Sequence, residues 1–260
     1  MTPRLSAQAR FFRASQAAAG RASKPCYVLL HGVGLSHRSF SRLARVLSGS
    51  GTVVAPDFPG FGVAARRTRP AHPQSVEQYA DMVIDFLSDA RPGWSVGGPV
   101  MLVGHSMGMQ SALDVALRRP DLVGGLVFVG PVVDPRRPTL RGEGLRLARD
   151  FAFEPLLTSA MALRDYLHCG TRWYVTEAHQ MLDYPTHERI SGYAGPLLIL
   201  RGENDPVAPQ DWTDALAANV DGATVKSIPG ARHNVIHSHP GEVAARIAKF
   251  ALSLSHRTST

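Results

Sequence analysis

Three residues carry side chains that together could transfer an acyl group. They are Ser106 in Gly104-His105-Ser106-Met107-Gly108, Asp205 in Glu203-Asn204-Asp205-Pro206, and His233 in Gly230-Ala231-Arg232-His233. A neutral serine hydroxyl is a poor nucleophile, so a base must take its proton and a carboxylate must orient that base. Serine, then acid, then histidine is the chain order in enzymes that present the serine on a sharp strand-to-helix elbow. The flanking glycines fit such an elbow, because Gly104 and Gly108 remove the Cβ atoms that would collide where backbones come close. Alone, the serine would also suit a helix cap.

Other residues compete for these roles. Asp134 follows an apolar run and could supply the acid, although Pro135 beside it suits a turn. His233, His237 and His239 form a histidine-rich tract that raises a metal reading. The glutamate of a zinc-binding helix is missing between them and Pro240 interrupts the segment, so no metal is expected. His105, beside the serine, is expected to turn its ring into the packing. An acyl-transfer site also needs donors for the developing oxyanion. The Met107 N–H, just after the serine, supplies one, and the Val33 N–H in His31-Gly32-Val33-Gly34 fits the second. Read as a dinucleotide fingerprint, that stretch fails, since His37 stands where the third glycine is needed. No cofactor is expected.

The elements that must hold these residues are legible as alternating patterns. Residues 26–30, 52–55, 100–103, 126–129, 197–200 and 224–228 read as strands, most of them apolar on both faces, as in a parallel sheet covered by helices. Helical patterns at 39–47, 75–87, 106–117, 211–218 and 242–254 lie between or after them, with Ser75 placed to cap the second. This alternation predicts an α/β fold with a doubly wound, mostly parallel sheet. Ser106, Asp205 and His233 would then leave three strands on one edge, where such sheets hold their sites. Between Gly130 and Gly195 the alternation stops. Helical patterns lie there at 140–151, 155–167 and 171–184, and the stretch carries Phe151, Phe153, Met161, Tyr166, Trp173, Tyr174 and Met181, candidates to line an apolar pocket.

Bulk properties exclude several classes. The 260-residue chain is 44% hydrophobic and 19% charged, enough for a sizeable core. Its longest apolar runs fall far short of the about 20 residues that span a bilayer, so no membrane partner is expected. The net charge of +7 arises from a chain in which only Lys24, Lys226 and Lys249 are lysines. The arginines are scattered, without an aromatic-interleaved stripe, which argues against nucleic acid. The one cluster, Arg66, Arg67 and Arg69, reads as a solvated loop on the site edge, with contact to an anionic substrate as the alternative. Cys26 and Cys169 show no paired spacing and suit a reducing compartment. Arg4, Arg10, Arg13 and Arg21 interrupt any secretory apolar stretch, and the cytoplasm is the expected location.

The motifs His31–Gly34 (HGVG), Asp57–Gly62 (DFPGFG), Gly104–Gly108 (GHSMG), Arg201–Pro209 (RGENDPVAP) and Pro229–His233 (PGARH), in this order, resemble the α/β-hydrolase fold superfamily. The resemblance implies Ser106 as nucleophile, His233 as base, Asp205 as its orienter, and Val33 and Met107 as oxyanion donors. It divides the chain into a core, 1–130 and 195–260, and a helical cap, 131–194, that shapes substrate choice. Serine at the elbow disfavours the dehalogenases and epoxide hydrolases of this fold, which need aspartate there. The resulting expectation is a serine hydrolase cleaving a small or medium apolar carboxylic ester through an acyl-enzyme, with a small-molecule substrate as its partner. Lactonase, thioesterase or carbon–carbon bond hydrolase chemistry on the same residues, or a hydrolase-like binding protein without turnover, are the alternatives. Departures from the common pattern include Val63, where many relatives carry serine, and Ser238 near the end.

Overall fold

The computed structural model describes residues 10–12, 24–88, 100–136 and 139–257. Seven strands form one sheet in the order β1-β3-β2-β4-β5-β6-β7. They are β1 Arg10–Phe12, β2 Cys26–Leu30, β3 Thr52–Ala55, β4 Val100–His105, β5 Val123–Val129, β6 Leu197–Gly202 and β7 Thr224–Ile228. Strands β2 to β7 run parallel, and only β1 pairs antiparallel, with Arg10 opposite Ala55.

Strand β2 shows why the sheet needs cover on both sides. Tyr27 and Leu29 join one apolar cluster with Phe40, Leu43 and Ile247, while Val28 and Leu30 join another with Tyr79, Val83 and Leu113. Successive side chains of a strand point to opposite faces, so a run apolar at every position is buried twice. The first cluster is covered by α1 Ser41–Leu47 and, near the chain's end, by α11 Pro240–Arg257. The second is covered by α3 Val76–Ser88, α4 Met107–Arg118 and α9 Gln210–Ala217. Helix α3 starts at a capping box, with Ser75 Oγ accepting from Gln78 N and Gln78 Oε1 accepting from Ser75 N.

Between β5 and β6 the described residues contain helices and no strand. These are α5 Leu140–Phe153, α6 Leu156–Cys169, α7 Thr171–Asp183 and the single turn α8 Thr186–Arg189. Two further short helices are α2 Ala65–Thr68 and α10 Val235–Ser238. The helical segment is tied to the core by buried polar contacts. Ser36 donates to Asp165 of α6 at 2.5 Å, Tyr79 donates to Glu177 of α7 at 2.8 Å, and Thr158 meets His237 at 3.0 Å. Arg69, one of the clustered arginines, donates to the Cys169 carbonyl and lies over the Trp173 ring. It is thus a tie to the helices, whereas Arg66 and Arg67 line a surface cavity with Val63, Ala64, Leu167 and His168.

Candidate active site

The site sits at the C-terminal edge of the parallel strands. Ser106 follows β4 and precedes α4, with φ 54° and ψ −128°. A left-handed φ at a non-glycine residue costs of order 1–3 kcal/mol and persists only where the surroundings enforce it. Here they do. A Cβ on Gly104 would lie 2.3 Å from Met109 Cα, one on Gly108 2.1 Å from the Leu30 carbonyl oxygen, and one on Gly32 2.8 Å from Ser106 Cβ. The elbow therefore depends on all three glycines. The serine side chain makes no capping bond to α4, so helix capping does not account for it.

Asp205 and His233 meet as the sequence predicts. His233 Nδ1 donates to Asp205 Oδ2 at 2.9 Å, with both residues almost fully buried. The other carboxylate oxygen accepts from Val207 N at 2.8 Å and Ala208 N at 3.1 Å. Burial pushes the Asp205 carboxyl up, but the His233 charge and these donors outweigh it and hold it below its ordinary range. Burial likewise pulls His233 down, and Asp205, with Asp150 and Glu154 behind it, raises it overall. With Nδ1 committed to Asp205, Nε2 is the nitrogen left to exchange a proton.

Two contacts bring this pair to the serine. Ser106 N donates to the Val129 carbonyl at 3.0 Å. The next residue, Gly130 (φ 58°), lies flat against the imidazole, where a Cβ would come 3.0 Å from His233 Cε1 and Nδ1. His105 adds a third tie. Its ring is fully buried and its Nε2 donates to the His233 carbonyl at 3.0 Å, while burial and the neighbouring imidazole drive its pKa down to about 3. It is packed and neutral, as expected.

The Val33 and Met107 N–H groups donate to no group among the described residues. The Val33 turn is braced by His31, which donates from Nδ1 to the Gly32 carbonyl at 2.9 Å and accepts from Phe58 N at 3.0 Å. Tyr166 and Tyr174 close over this turn from the helical segment. A Cβ on Gly34 would meet their rings at 2.5 and 2.7 Å, and Trp173 covers Gly60 in the same way. Two further pocket candidates divide. Met181 belongs to the core, whereas Phe153 is 65% exposed and sits under Arg232 rather than lining a pocket.

The competing readings separate cleanly. Asp134 accepts from Arg136 N, Nε and Nη2 and so is occupied by its own turn, while Asp205 holds the imidazole. His233, His237 and His239 face Asp205, Thr158 and Ser238 respectively. Among the described residues no group of three or more His, Cys, Asp or Glu side chains could hold a metal ion, and no helix is long and apolar enough to cross a membrane. Missed by the sequence reading were Asp150 in the last turn of α5 and Glu154 at its C-cap, both buried against the His233 turn, and Val133, a β-branched residue at φ 62° just past β5.

A parallel sheet with a strained serine elbow and a buried His–Asp pair on its C-terminal edge defines a hydrolase-type α/β protein. Residues 27–246 match the model of the alpha/beta hydrolase family, and the chain belongs to that family. It is 34% identical to a pimeloyl-[acyl-carrier protein] methyl ester esterase of Aromatoleum aromaticum, over 86% of this chain and 97% of that one. Among solved structures it resembles a thermophilic esterase from Thermogutta terrifontis, with a TM-score of 0.75, 18% identity and coverage of 95% and 93% of the two chains. The enol-lactonase from Burkholderia xenovorans gives a TM-score of 0.74 at 18% identity, covering 94% and 96%.

Proposed function

We propose that the chain is a serine hydrolase that cleaves a small or medium apolar carboxylic ester through an acyl-enzyme intermediate. Ser106 Oγ attacks the ester carbonyl carbon while His233 Nε2 takes the hydroxyl proton. The Val33 and Met107 N–H groups receive the oxyanion. Collapse breaks the bond to the leaving oxygen, which takes the proton from His233 and departs as the alcohol. A water, deprotonated by His233, then attacks the acyl carbon, and the carboxylic acid leaves as Ser106 regains its proton. Asp205 keeps Nδ1 protonated throughout and stabilises the transient imidazolium.

The observation that carries this reading is the buried 2.9 Å His233–Asp205 bond, set against Gly130 beside a serine held at positive φ. Ester hydrolysis is the coarse activity to which the esterase relative points. Residues 131–194 serve as the cap, with Tyr166, Trp173 and Tyr174 giving the acyl side an aromatic wall. A reducing, cytoplasmic setting suits the buried free thiols of Cys26 and Cys169. The test is hydrolysis of ester, lactone and thioester panels with Ser106→Ala as the blank. Short-chain p-nitrophenyl esters are expected to be turned over by the wild type and not by the variant; full activity in Ser106→Ala would sink the assignment.

A further inference from the structure

Helix α5 meets the His233 turn with carboxylates rather than with apolar side chains. Asp150 lies in the last turn of α5 and Glu154 is its C-cap, and both are buried. Asp150 Oδ1 accepts from His233 N at 3.2 Å, and Glu154 Oε1 accepts from Asn234 N at 2.8 Å. Two consecutive amides of the histidine turn are thus held by the C-terminal end of one helix and its cap. The arrangement is costly. Asp150 Oδ2, Glu154 Oε2 and Asn234 Oδ1 are buried without a hydrogen-bond partner among the described residues. Burial raises both carboxyls, Glu154 to about 7. Buried carboxylates that leave an oxygen unpaired stabilise a fold poorly, and apolar side chains of similar volume would serve packing better.

We propose that Asp150 and Glu154 are positioning residues that set the His233 imidazole for its exchange with Ser106. The proposal rests on the reading of Ser106, His233 and Asp205 as the catalytic set. It gives α5 a task distinct from covering substrate, since the seating of this helix and the set of the imidazole become one variable. The titratable and charged groups facing His233 are Asp205 from the turn after β6, the neutral His105 from β4, Glu143 and Asp150 from α5 and Glu154 at its C-cap, with Arg232 adjacent in the chain and 3.8 Å from Asp150. Of these, Asp150 and Glu154 add to Asp205 in favouring the imidazolium.

The experiment compares Asp150→Ala, Glu154→Ala, Asp150→Asn and Glu154→Gln on a short-chain p-nitrophenyl ester, across pH, beside Ser106→Ala. Removing an acceptor lets the turn shift, and a displacement of order 1 Å can cost about 100-fold. The alanine variants are expected to lose about 10- to 100-fold in kcat with KM little changed. The amide variants keep an acceptor oxygen and should regain most of that rate on the alkaline plateau, with the acid limb moved to lower pH because a negative charge beside the imidazole is gone. The low-field Nδ1 proton resonance of His233 reads the same geometry without turnover. It should broaden or move in the alanine variants and stay in the amide variants. If the alanine variants do not fold, the acid limb of the amide variants decides. An unmoved acid limb, or alanine variants with wild-type kcat and an unchanged resonance, would overturn the proposal while a dead Ser106→Ala kept the hydrolase reading intact. Activity in Ser106→Ala would instead remove the catalytic set itself.

Discussion

Asp205, in the turn after β6, and Glu177, midway along α7, are both buried carboxylates, and the folded chain treats them in opposite ways. Burial pushes each toward its protonated form. Asp205 meets an imidazole and two backbone N–H groups, and ends below its ordinary value. Among the described residues Glu177 meets only the Tyr79 hydroxyl and the Gln74 N–H, and ends near 7. The difference follows from where each stands. Turns at the ends of parallel strands present free backbone N–H groups, so a carboxylate there can stay charged and stabilise a cation beside it. A helix has already spent its interior N–H groups on itself, so a carboxylate on its buried face depends on what the core happens to offer. At the strand edge Asp205 keeps its charge, whereas on α7 burial wins at Glu177.

The largest break of this comparison is Asp205→Asn. It preserves shape but frees the imidazole to take the wrong tautomer, and kcat should fall by about 10⁴-fold, by analogy with serine proteases. Asp134→Asn, at a residue occupied by Arg136, should leave kcat within about twofold of wild type. The reverse pattern would move the acid role to Asp134. Steady-state kinetics on one ester decides between them.

Gly32→Ala sharpens the comparison from the backbone side. Its Cβ would fall 2.8 Å from Ser106 Cβ and 3.2 Å from Ser106 Oγ, displacing either the serine or the Val33 turn. A loss of about 10²- to 10³-fold in kcat is expected, comparable to removing one oxyanion donor. Wild-type kcat in a folded Gly32→Ala chain would show that the serine elbow and this turn are not held against each other.

The smallest effect lies in the helical segment and is read in stability. Glu177 has a folded pKa of about 7 against an ordinary 4.5, so the folded chain binds its proton more tightly than the unfolded one. Its contribution is therefore fully present below about pH 4.5 and is lost as pH rises through about 7. Glu154 titrates in the same window and the same sense. Thermal unfolding of the wild type should show a fall in stability from about pH 5 to 8, and Glu177→Gln should flatten it by on the order of 1–3 kcal/mol. An identical slope in the variant would mean that Glu177 is not held protonated.

The same contrast explains what was legible in the sequence. Strands β2 to β6 announce themselves as apolar runs because both faces are covered. Strand β7 is less clear in burial because it lies on the open edge. Ser106, Asp205 and His233 were readable because each follows its strand within a few residues, and local chain geometry carries it to the sheet edge. Asp150 and Glu154 were not. On α5 the inward stripe is Glu143, Leu147 and Asp150, continued by the C-cap Glu154, while Leu145 and Phe153 face outward at 72% and 65% exposure. A periodicity reading that turns apolar residues inward therefore points to the wrong face. The partners of those carboxylates lie about 80 residues away on the His233 turn. Only the packing of α5 on the core reveals them. Phe153, one of the seven candidates for an apolar pocket, is turned outward by the same arrangement.

The central claim is that Ser106 is the nucleophile and that His233 activates it. Labelling with a fluorophosphonate probe, located by peptide mass and timed in wild type and His233→Ala, tests both halves at once. A single adduct on Ser106 is expected, forming at least about 10³-fold more slowly in His233→Ala. Hydrolysis of an ester by a chain whose Ser106 stays unlabelled, or labelling at the same rate without His233, would contradict it.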